Sequence, residues 1–229
     1  MGLFSDGVRL SVTEREAVRC LHTAGVSGSS PLAPTNHSHT PTPSGPPPAT
    51  AAALVHVLLD SSAIQARVAE LARAIERGSS GDAPIHLVAV LKGAFMFLAD
   101  LMRAFQRPVT CDFLAVSSYG GQQVSSGEVR VTKDLDESLA GRDVVIVEDI
   151  VDSGLTLAYL QDLVRARRPR SLRTVCLLDK RTRRRVGVPI EYVGFEIEDR
   201  FVVGYGLDLG ERYRQLPFVG YVDDPPEYR

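Results

Sequence analysis

The segment best suited to chemistry is an apolar run that leads into two acids and a glycine-containing turn. Residues 144–157 read VVIVEDIVDSGLTL, and the four apolar residues at its start predict a buried parallel strand. Glu148 and Asp149 follow, and adjacent carboxylates are costly to bury unless they meet a cation or a polyol. The turn at 152–156 opens a helix, whose free N–H groups and dipole suit a phosphate. The segment thus indicates a metal or sugar site beside a phosphate site, although an acid-ended strand and an ordinary Asx turn also fit.

Three further segments carry groups of related chemistry. Lys92 and Gly93 follow a predicted strand, where an ammonium and a bare backbone N–H can face an anion; from these residues alone, a simple strand-to-helix turn is the favoured explanation. Residues 117–128 are rich in Ser, Gly and Gln, a composition that suits both a mobile loop closing over a reacting centre and an idle surface loop. Lys180 begins a basic cluster that ends at Arg185, which indicates RNA binding or a solvated basic face.

Alternating strand and helix patterns predict the scaffold that positions these groups. The pattern is typical of an α/β fold with a mostly parallel sheet covered on both faces. Ligands of such sheets collect at the carboxyl ends of the strands, where the acids and the turn stand. The predicted strands are 87–91, 111–117, 129–132, 144–147, 174–178 and 192–195, and the predicted helices are 63–75, 94–105 and 156–167.

Composition limits the classes of protein that fit. The chain has 229 residues, of which 44% are hydrophobic, so it can bury a substantial core. Its 26 basic and 28 acidic residues give a net charge of -2, which predicts no global attraction to nucleic acid or to a membrane. No apolar run is as long as a membrane span, and the start does not resemble a secretory signal. Three cysteines without CxxC spacing favour a reducing cytoplasm.

The chain divides into two parts by composition. Residues 25–50 are dominated by Ser, Pro, Thr and Gly, which bury little surface. We therefore expect residues 1–53 to form a largely disordered extension of unknown role and residues 54–229 to form the folded domain.

Residues 144–157 resemble the phosphoribosyl-diphosphate-binding motif of the type I phosphoribosyltransferases, and the surrounding chain narrows the resemblance to the hypoxanthine-guanine phosphoribosyltransferases. Residues 192–222 are the second long match, and matches extend from about 58 to 222. The resemblance implies the type I phosphoribosyltransferase fold, with a small C-terminal hood over the base site. The N-terminal extension and Gly121, where many members carry Asn, are the departures.

The resemblance also implies a role for individual residues. Asp152 matches the residue that accepts the purine N7 proton, and Ser118 and Tyr119 match the catalytic lid. The matches to the phosphoribosyl diphosphate site are Lys92, Gly93, Glu148, Asp149, Asp152, Ser153, Gly154, Leu155, Thr156 and Arg214. The matches to the purine site are Lys180, Phe201, Val202 and Asp208, and those to a Mg²⁺ site are Glu148, Asp149 and Asp208.

The implied activity is magnesium-dependent transfer of the 5-phosphoribosyl group to N9 of hypoxanthine or guanine. The products would be IMP or GMP and pyrophosphate, made by a cytoplasmic homodimer or homotetramer with only small-molecule substrates as partners. Two alternatives stay open. One is a regulator with the same fold that senses nucleotides or binds RNA. The other is a phosphoribosyltransferase for another base, such as xanthine or a pyrimidine.

Overall fold

The computed structural model describes residues 55–79, 81, 83–118 and 129–223, which form nine strands and three α-helices. In this part of the chain no helix is long and apolar enough to cross a membrane. The predicted extension, residues 1–53, lies outside the described residues. The strands are β1 (His56–Leu59), β2 (Ile85–Leu91), β3 (Val109–Ser118), β4 (Val129–Lys133), β5 (Asp143–Val151), β6 (Ser171–Asp179), β7 (Tyr192–Glu196), β8 (Phe201–Val203) and β9 (Val219–Val222), and the helices are α1 (Ser61–Gly78), α2 (Phe95–Ala104) and α3 (Leu155–Arg165).

Six strands form the main sheet in the order β4-β3-β2-β5-β6-β7, and only β4 is antiparallel to its neighbour. The apolar run of β5 explains why this strand lies in the centre. Val145 and Val147 pack with α1 and α2 on one face, whereas Val144 and Ile146 pack with α3 on the other. Each fully buried side chain of this kind contributes about 1.5–3 kcal/mol. The predicted α/β fold with a mostly parallel sheet is confirmed.

The helices follow the apolar spacing of the sequence. In α1 the residues at helical spacing, from Ile64 to Ile75, are buried against the sheet. Asp60 begins this helix as its N-cap, because its carboxylate accepts a hydrogen bond from the Ala63 N–H at 2.8 Å.

The end of β5 differs from the prediction. The apolar run predicts a strand that stops at Val147, but β5 continues to Val151 and contains both acids. The reason is that β5 stays paired with β6, with Ile150 opposite Leu178 and Val151 opposite Asp179. On its other side, the pairing of β5 with β2 ends at Val147. The two central strands therefore separate where the acids begin.

A second, smaller sheet has the order β1-β9-β8 and is antiparallel throughout. The sequence patterns predicted none of its three strands. Each is only three or four residues long, too short for a clear period, and their pairing joins opposite ends of the domain. That this sheet forms a hood over a base site stays a prediction.

The position of the site follows from the connections of the central strands. Along the strand order of the sheet, the connection from β2 leads to β3 in one direction, whereas the connection from β5 leads to β6 in the opposite direction. A crevice opens at such a switch point, outside the carboxyl ends of the diverging strands. Here it lies between the ends of β2 and β5.

At the opposite end of β5, a buried acid joins two strands. Asp143 is 3% exposed and accepts hydrogen bonds from Arg170 Nε at 2.9 Å and from the Ser171 hydroxyl at 2.7 Å. The hydrogen bonds from Arg170 lower the pKa of Asp143 from 3.8 to about 2, assisted by Ser171 and opposed by burial. Because the folded-state pKa is depressed, the pair stabilises the fold above pH 3.8, and that stability is lost as the pH falls towards 2.

We expect Asp143→Asn to lower the free energy of unfolding at pH 7 by about 2 kcal/mol. Wild type should lose stability between pH 4 and pH 2 as Asp143 is protonated, and this contribution should be absent from the variant. Urea unfolding at a series of pH values measures both effects. Asp162→Asn is the matched control, since Asp162 pairs with Arg165 but is 80% exposed. Equal losses in the two variants would contradict this account of Asp143.

Candidate active site

Two carboxylates occupy the gap that opens between β2 and β5. Glu148 is 6% exposed, and Asp149 follows it in the strand. Burial raises the pKa of Glu148 well above its usual range, and the charge of Asp149 raises it further. Burial likewise raises the pKa of Asp149 to about 6. Two neighbouring acids in this state favour a cation or hydroxyl donors beside them.

A turn that suits an anion follows directly. Gly154 has φ +83° and is the N-cap of α3, and the Leu155 N–H makes one long hydrogen bond of 3.4 Å to the Ser153 hydroxyl. The N–H groups of the first turn have no carbonyl partner within the helix, so they can bind an anion. A Cβ at this position would lie 2.8 Å from Val188 Cγ1, which is a second reason for glycine. The turn and the two acids line one cavity of about 220 Å³. A phosphate on the helix end and polar hydroxyls at the acids would fill it.

The loop after β2 closes against these acids. The peptide bond between Leu91 and Lys92 is cis. A Cβ on Gly93 would overlap the Asp149 carboxylate, and a Cβ on Gly206 would overlap the Gly93 carbonyl oxygen. Three segments distant in the sequence thus pack closely, Gly93 against a side chain and Gly206 against backbone, and only glycine permits either contact.

The segment after Gly206 adds charged groups at the same place. Lys92 Nζ lies 2.9 Å from Glu211 Oε2, and Arg214 Nη2 lies 2.9 Å from Asp208 Oδ1. Arg214 is also near enough to Asp149 to oppose the rise of its pKa. The structure therefore brings the predicted residues Lys92, Asp149, Asp208 and Arg214 together.

The predicted purine residues lie around the end of β6. Lys180 directly follows β6 and is 8% exposed; its N–H donates to the Val151 carbonyl at 3.0 Å, and its Nζ lies 3.4 Å from Asp199 Oδ1. Phe201 and Val202 begin β8, the first partly buried and the second buried. Asp199 therefore contacts Lys180 and lies two residues before Phe201, the first residue of β8.

The predicted proton acceptor is held by an arginine. Asp152 Oδ1 accepts a hydrogen bond from Arg183 Nε at 3.0 Å, and Arg183 Nη1 donates to Asp199 Oδ2 at 3.0 Å. Of the predicted lid residues, Ser118 ends β3, and Tyr119 lies outside the described residues.

Sequence reasoning missed three charged residues that organise this site, Arg183, Asp199 and Glu211. Arg183 was read only as part of a basic cluster, and the two acids lie in short polar stretches with no period. Their importance comes from partners between 16 and 119 residues away, which the local sequence does not reveal.

Comparisons with known proteins identify the family. The model of the phosphoribosyl transferase domain family matches residues 55–209. The chain belongs to the phosphoribosyltransferase family. It is 50% identical to the hypoxanthine phosphoribosyltransferase of Salmonella typhimurium over 169 residues, which cover 73% of this chain and 95% of that protein. It is 51% identical to the hypoxanthine-guanine phosphoribosyltransferase of Mycobacterium avium over 172 residues, which cover 73% and 85%.

A solved relative has the same fold. The hypoxanthine phosphoribosyltransferase of Staphylococcus aureus is 40% identical, with a TM-score of 0.72, over 76% of this chain and 95% of that one. The phosphoribosyltransferase resemblance inferred from residues 144–157 is thereby confirmed, and so is the type I phosphoribosyltransferase fold.

The contact between Gly93 and Asp149 yields a prediction. We expect Gly93→Ala to displace the Asp149 carboxylate and to lower the free energy of unfolding by about 1–3 kcal/mol, the usual range for overpacking. Urea unfolding measures the loss, and a crystal structure of the variant locates the carboxylate. Gly187→Ala is the control, because a Cβ there meets nothing within 4 Å. If both variants were as stable as wild type, the packing of Gly93 would not be restrictive.

Proposed function

We propose that this chain is a hypoxanthine-guanine phosphoribosyltransferase of purine salvage. The observation that carries the proposal is one cavity lined by the buried Glu148, the partly buried Asp149 and the turn that begins α3. The buried Lys180 lies beside this cavity, because its N–H donates to the carbonyl of Val151 in the cavity wall. These are the groups needed for a ribose, its phosphate and a 6-oxopurine. The curated relatives at about 50% identity bear this activity in their names.

The phosphoribosyl diphosphate would lie along the end of β5. The N–H groups of residues 153–156 and the hydroxyls of Ser153 and Thr156 would bind the 5′-phosphate at the end of α3. Lys92, Gly93 and Arg214 would bind the diphosphate, which lies opposite the helix end in this arrangement. Glu148 and Asp149 would face the ribose hydroxyls.

The purine would lie beside Lys180. An ammonium has only donors, so Lys180 favours the O6 acceptor of a 6-oxopurine over the amino group of adenine. Phe201 would stack on the ring, and backbone groups of Val202 and Asp208 would read its edge.

Bond making and proton transfer would then occur at the two nitrogens of the five-membered ring of the purine. As N9 attacks C1′ and the bond from C1′ to the diphosphate breaks, Asp152 would accept the N7 proton. The carboxylates of Glu148 and Asp149 would stabilise positive charge that develops on the sugar. Ser118 and Tyr119 would belong to a lid that excludes water.

The donor set fits a divalent cation. Glu148 and Asp149 offer hard oxygen ligands whose burial alone is costly, and Asp208 would be a third ligand. Among the described residues, no group of three or more His, Cys, Asp or Glu side chains is placed to hold a metal. The three carboxylates therefore do not form a complete site by themselves, and magnesium would complete its shell with substrate oxygens and water. When bound, it supplies neutralisation of the charge on the departing diphosphate.

The alternatives gain less support. Most arginines of the basic cluster are already ion-paired: Arg181 with Glu196, Arg183 with Asp152 and Asp199, and Arg184 with Asp179. Paired cations are a weak basis for RNA binding. Lys180 does not distinguish xanthine from hypoxanthine and guanine, because all three bases carry O6. The cytoplasmic location and the homo-oligomer stay predictions from the sequence.

An activity assay tests the proposal. The purified protein, given phosphoribosyl diphosphate and magnesium, should convert hypoxanthine and guanine to IMP and GMP and leave adenine unchanged. Chelation of the metal should abolish the conversion, and added magnesium should restore it, because the diphosphate charge is then neutralised again. Chromatographic separation of base and nucleotide measures the outcome. Failure to convert any of the four bases, xanthine included, would refute the proposal.

Lys180→Ala tests the purine assignment. We expect a loss of about 1.5–3 kcal/mol in hypoxanthine binding, the usual value of a hydrogen bond to a charged group. Asp199 keeps its partner Arg183 in this variant, so no acid is left unpaired. Calorimetry measures the affinity, with Arg181→Ala as the control because Arg181 pairs with Glu196 instead. Unchanged affinity for hypoxanthine in Lys180→Ala would remove this residue from the O6 site.

A further inference from the structure

Arg183 joins two parts of the site that the sequence treats separately. It ends the short 3₁₀ turn Arg181–Arg183 that follows Lys180. Its guanidinium donates through Nε to Asp152 Oδ1 and through Nη1 to Asp199 Oδ2, each at 3.0 Å. A planar guanidinium with two fixed partners has little freedom to rotate, so Arg183 fixes the position of each carboxylate relative to the other.

The backbone holds Arg183 against the turn that carries Asp152. The N–H of Arg185 donates to the Ser153 carbonyl at 2.9 Å, and the N–H of Lys180 donates to the Val151 carbonyl at 3.0 Å. These bonds lie on both sides of Arg183 and of Asp152. The arginine and the acid are therefore connected by main chain as well as by their ion pair.

The contact leaves one oxygen of Asp152 available. Arg183 binds Oδ1 through Nε, so this contact does not engage Oδ2. A carboxylate held by one oxygen presents the other in a defined direction. This is the arrangement in which a base is oriented by a third group.

Stability does not account for the ion pair. The side chains of Arg183 and Asp152 are 49% and 43% exposed. Ion pairs at such exposure contribute little to folding, because water screens them and two long side chains lose freedom. The pair therefore has more effect on where the Asp152 carboxylate points than on whether the chain folds.

We propose that Arg183 is a positioning residue that orients Asp152 for proton transfer, with Asp199 anchoring the guanidinium at its other end. The inference rests on the proposed function. In the step concerned, the C1′ bond to the diphosphate breaks and the N9 bond to C1′ forms. The N7 proton passes to Asp152 Oδ2 while Arg183 keeps Oδ1. Arg183 itself contacts neither substrate.

Steady-state kinetics with three variants test this role. Arg183→Ala should lower kcat by about 10-fold to 100-fold, the range found when the partner of a functional side chain is removed. The KM for phosphoribosyl diphosphate and the midpoint of thermal unfolding should not change. Arg183→Lys should recover part of kcat, because an ammonium restores the charge but not the double contact. Arg181→Ala, on the same turn and paired with Glu196, should behave as wild type.

A double-mutant cycle separates positioning from an independent effect. Asp152→Asn should lower kcat by about 10²-fold to 10⁴-fold, as expected for the loss of a general base. Adding Arg183→Ala to that variant should lower kcat no further, because the residue that Arg183 orients no longer accepts the proton.

Several results would overturn the inference. One is a wild-type kcat in Arg183→Ala. Another is that Arg183→Ala lowers kcat by the same factor in wild type and in the Asp152→Asn variant. A raised KM for phosphoribosyl diphosphate with unchanged kcat would instead make Arg183 a substrate contact. An inactive wild type would refute the proposed function together with this inference, whereas an active wild type with an equally active Arg183→Ala would refute the inference alone.

Discussion

The placement of two adjacent acids in β5, the buried Glu148 and the partly buried Asp149, is the constraint on which the site depends. Removing two charges from water is costly, and their mutual repulsion adds to that cost. A ligand that approaches both acids would offset this cost, and it can do so only where β5 no longer pairs with β2. The sheet supplies this opening because its central strands connect in opposite directions, and the N-terminal end of α3 lines the same cavity as the acids.

The neighbouring loops are shaped by that opening. The chain after β2 approaches Asp149 so closely that Gly93 has no room for a Cβ, and the chain after β8 approaches Gly93 so closely that Gly206 has none. Ion pairs between Lys92 and Glu211, and between Arg214 and Asp208, place charged side chains around the same opening. Opposite them, the 3₁₀ turn after β6 is joined to the β5–α3 turn by backbone hydrogen bonds. The crevice is thus bounded by segments that meet only in the folded domain.

Sequence patterns predicted the main sheet well and the small sheet not at all. The apolar runs of β2, β5 and β6 are long enough to distinguish strands buried on both faces, and α1 repeats its apolar residues at helical spacing. β1, β8 and β9 lack such a signal because each has at most four residues. The end of β5 was misplaced because its last four residues include two acids, and the bonds that extend it come from β6.

The sequence by itself determined the family, the order of the main elements and the types of the reacting groups, since local spacing carries that information. The acids at 148 and 149, the glycine turn and the lysine at 180 are each recognisable within about 15 residues of chain. Only the tertiary structure decided which of these residues lie close together and with which charged residues they form ion pairs. Asp199 lies between Lys180 and Arg183, and Arg183 reaches Asp152, because three connections at the ends of β5, β6 and β7 converge. Such distances depend on strand pairing between remote segments, and no local pattern encodes them.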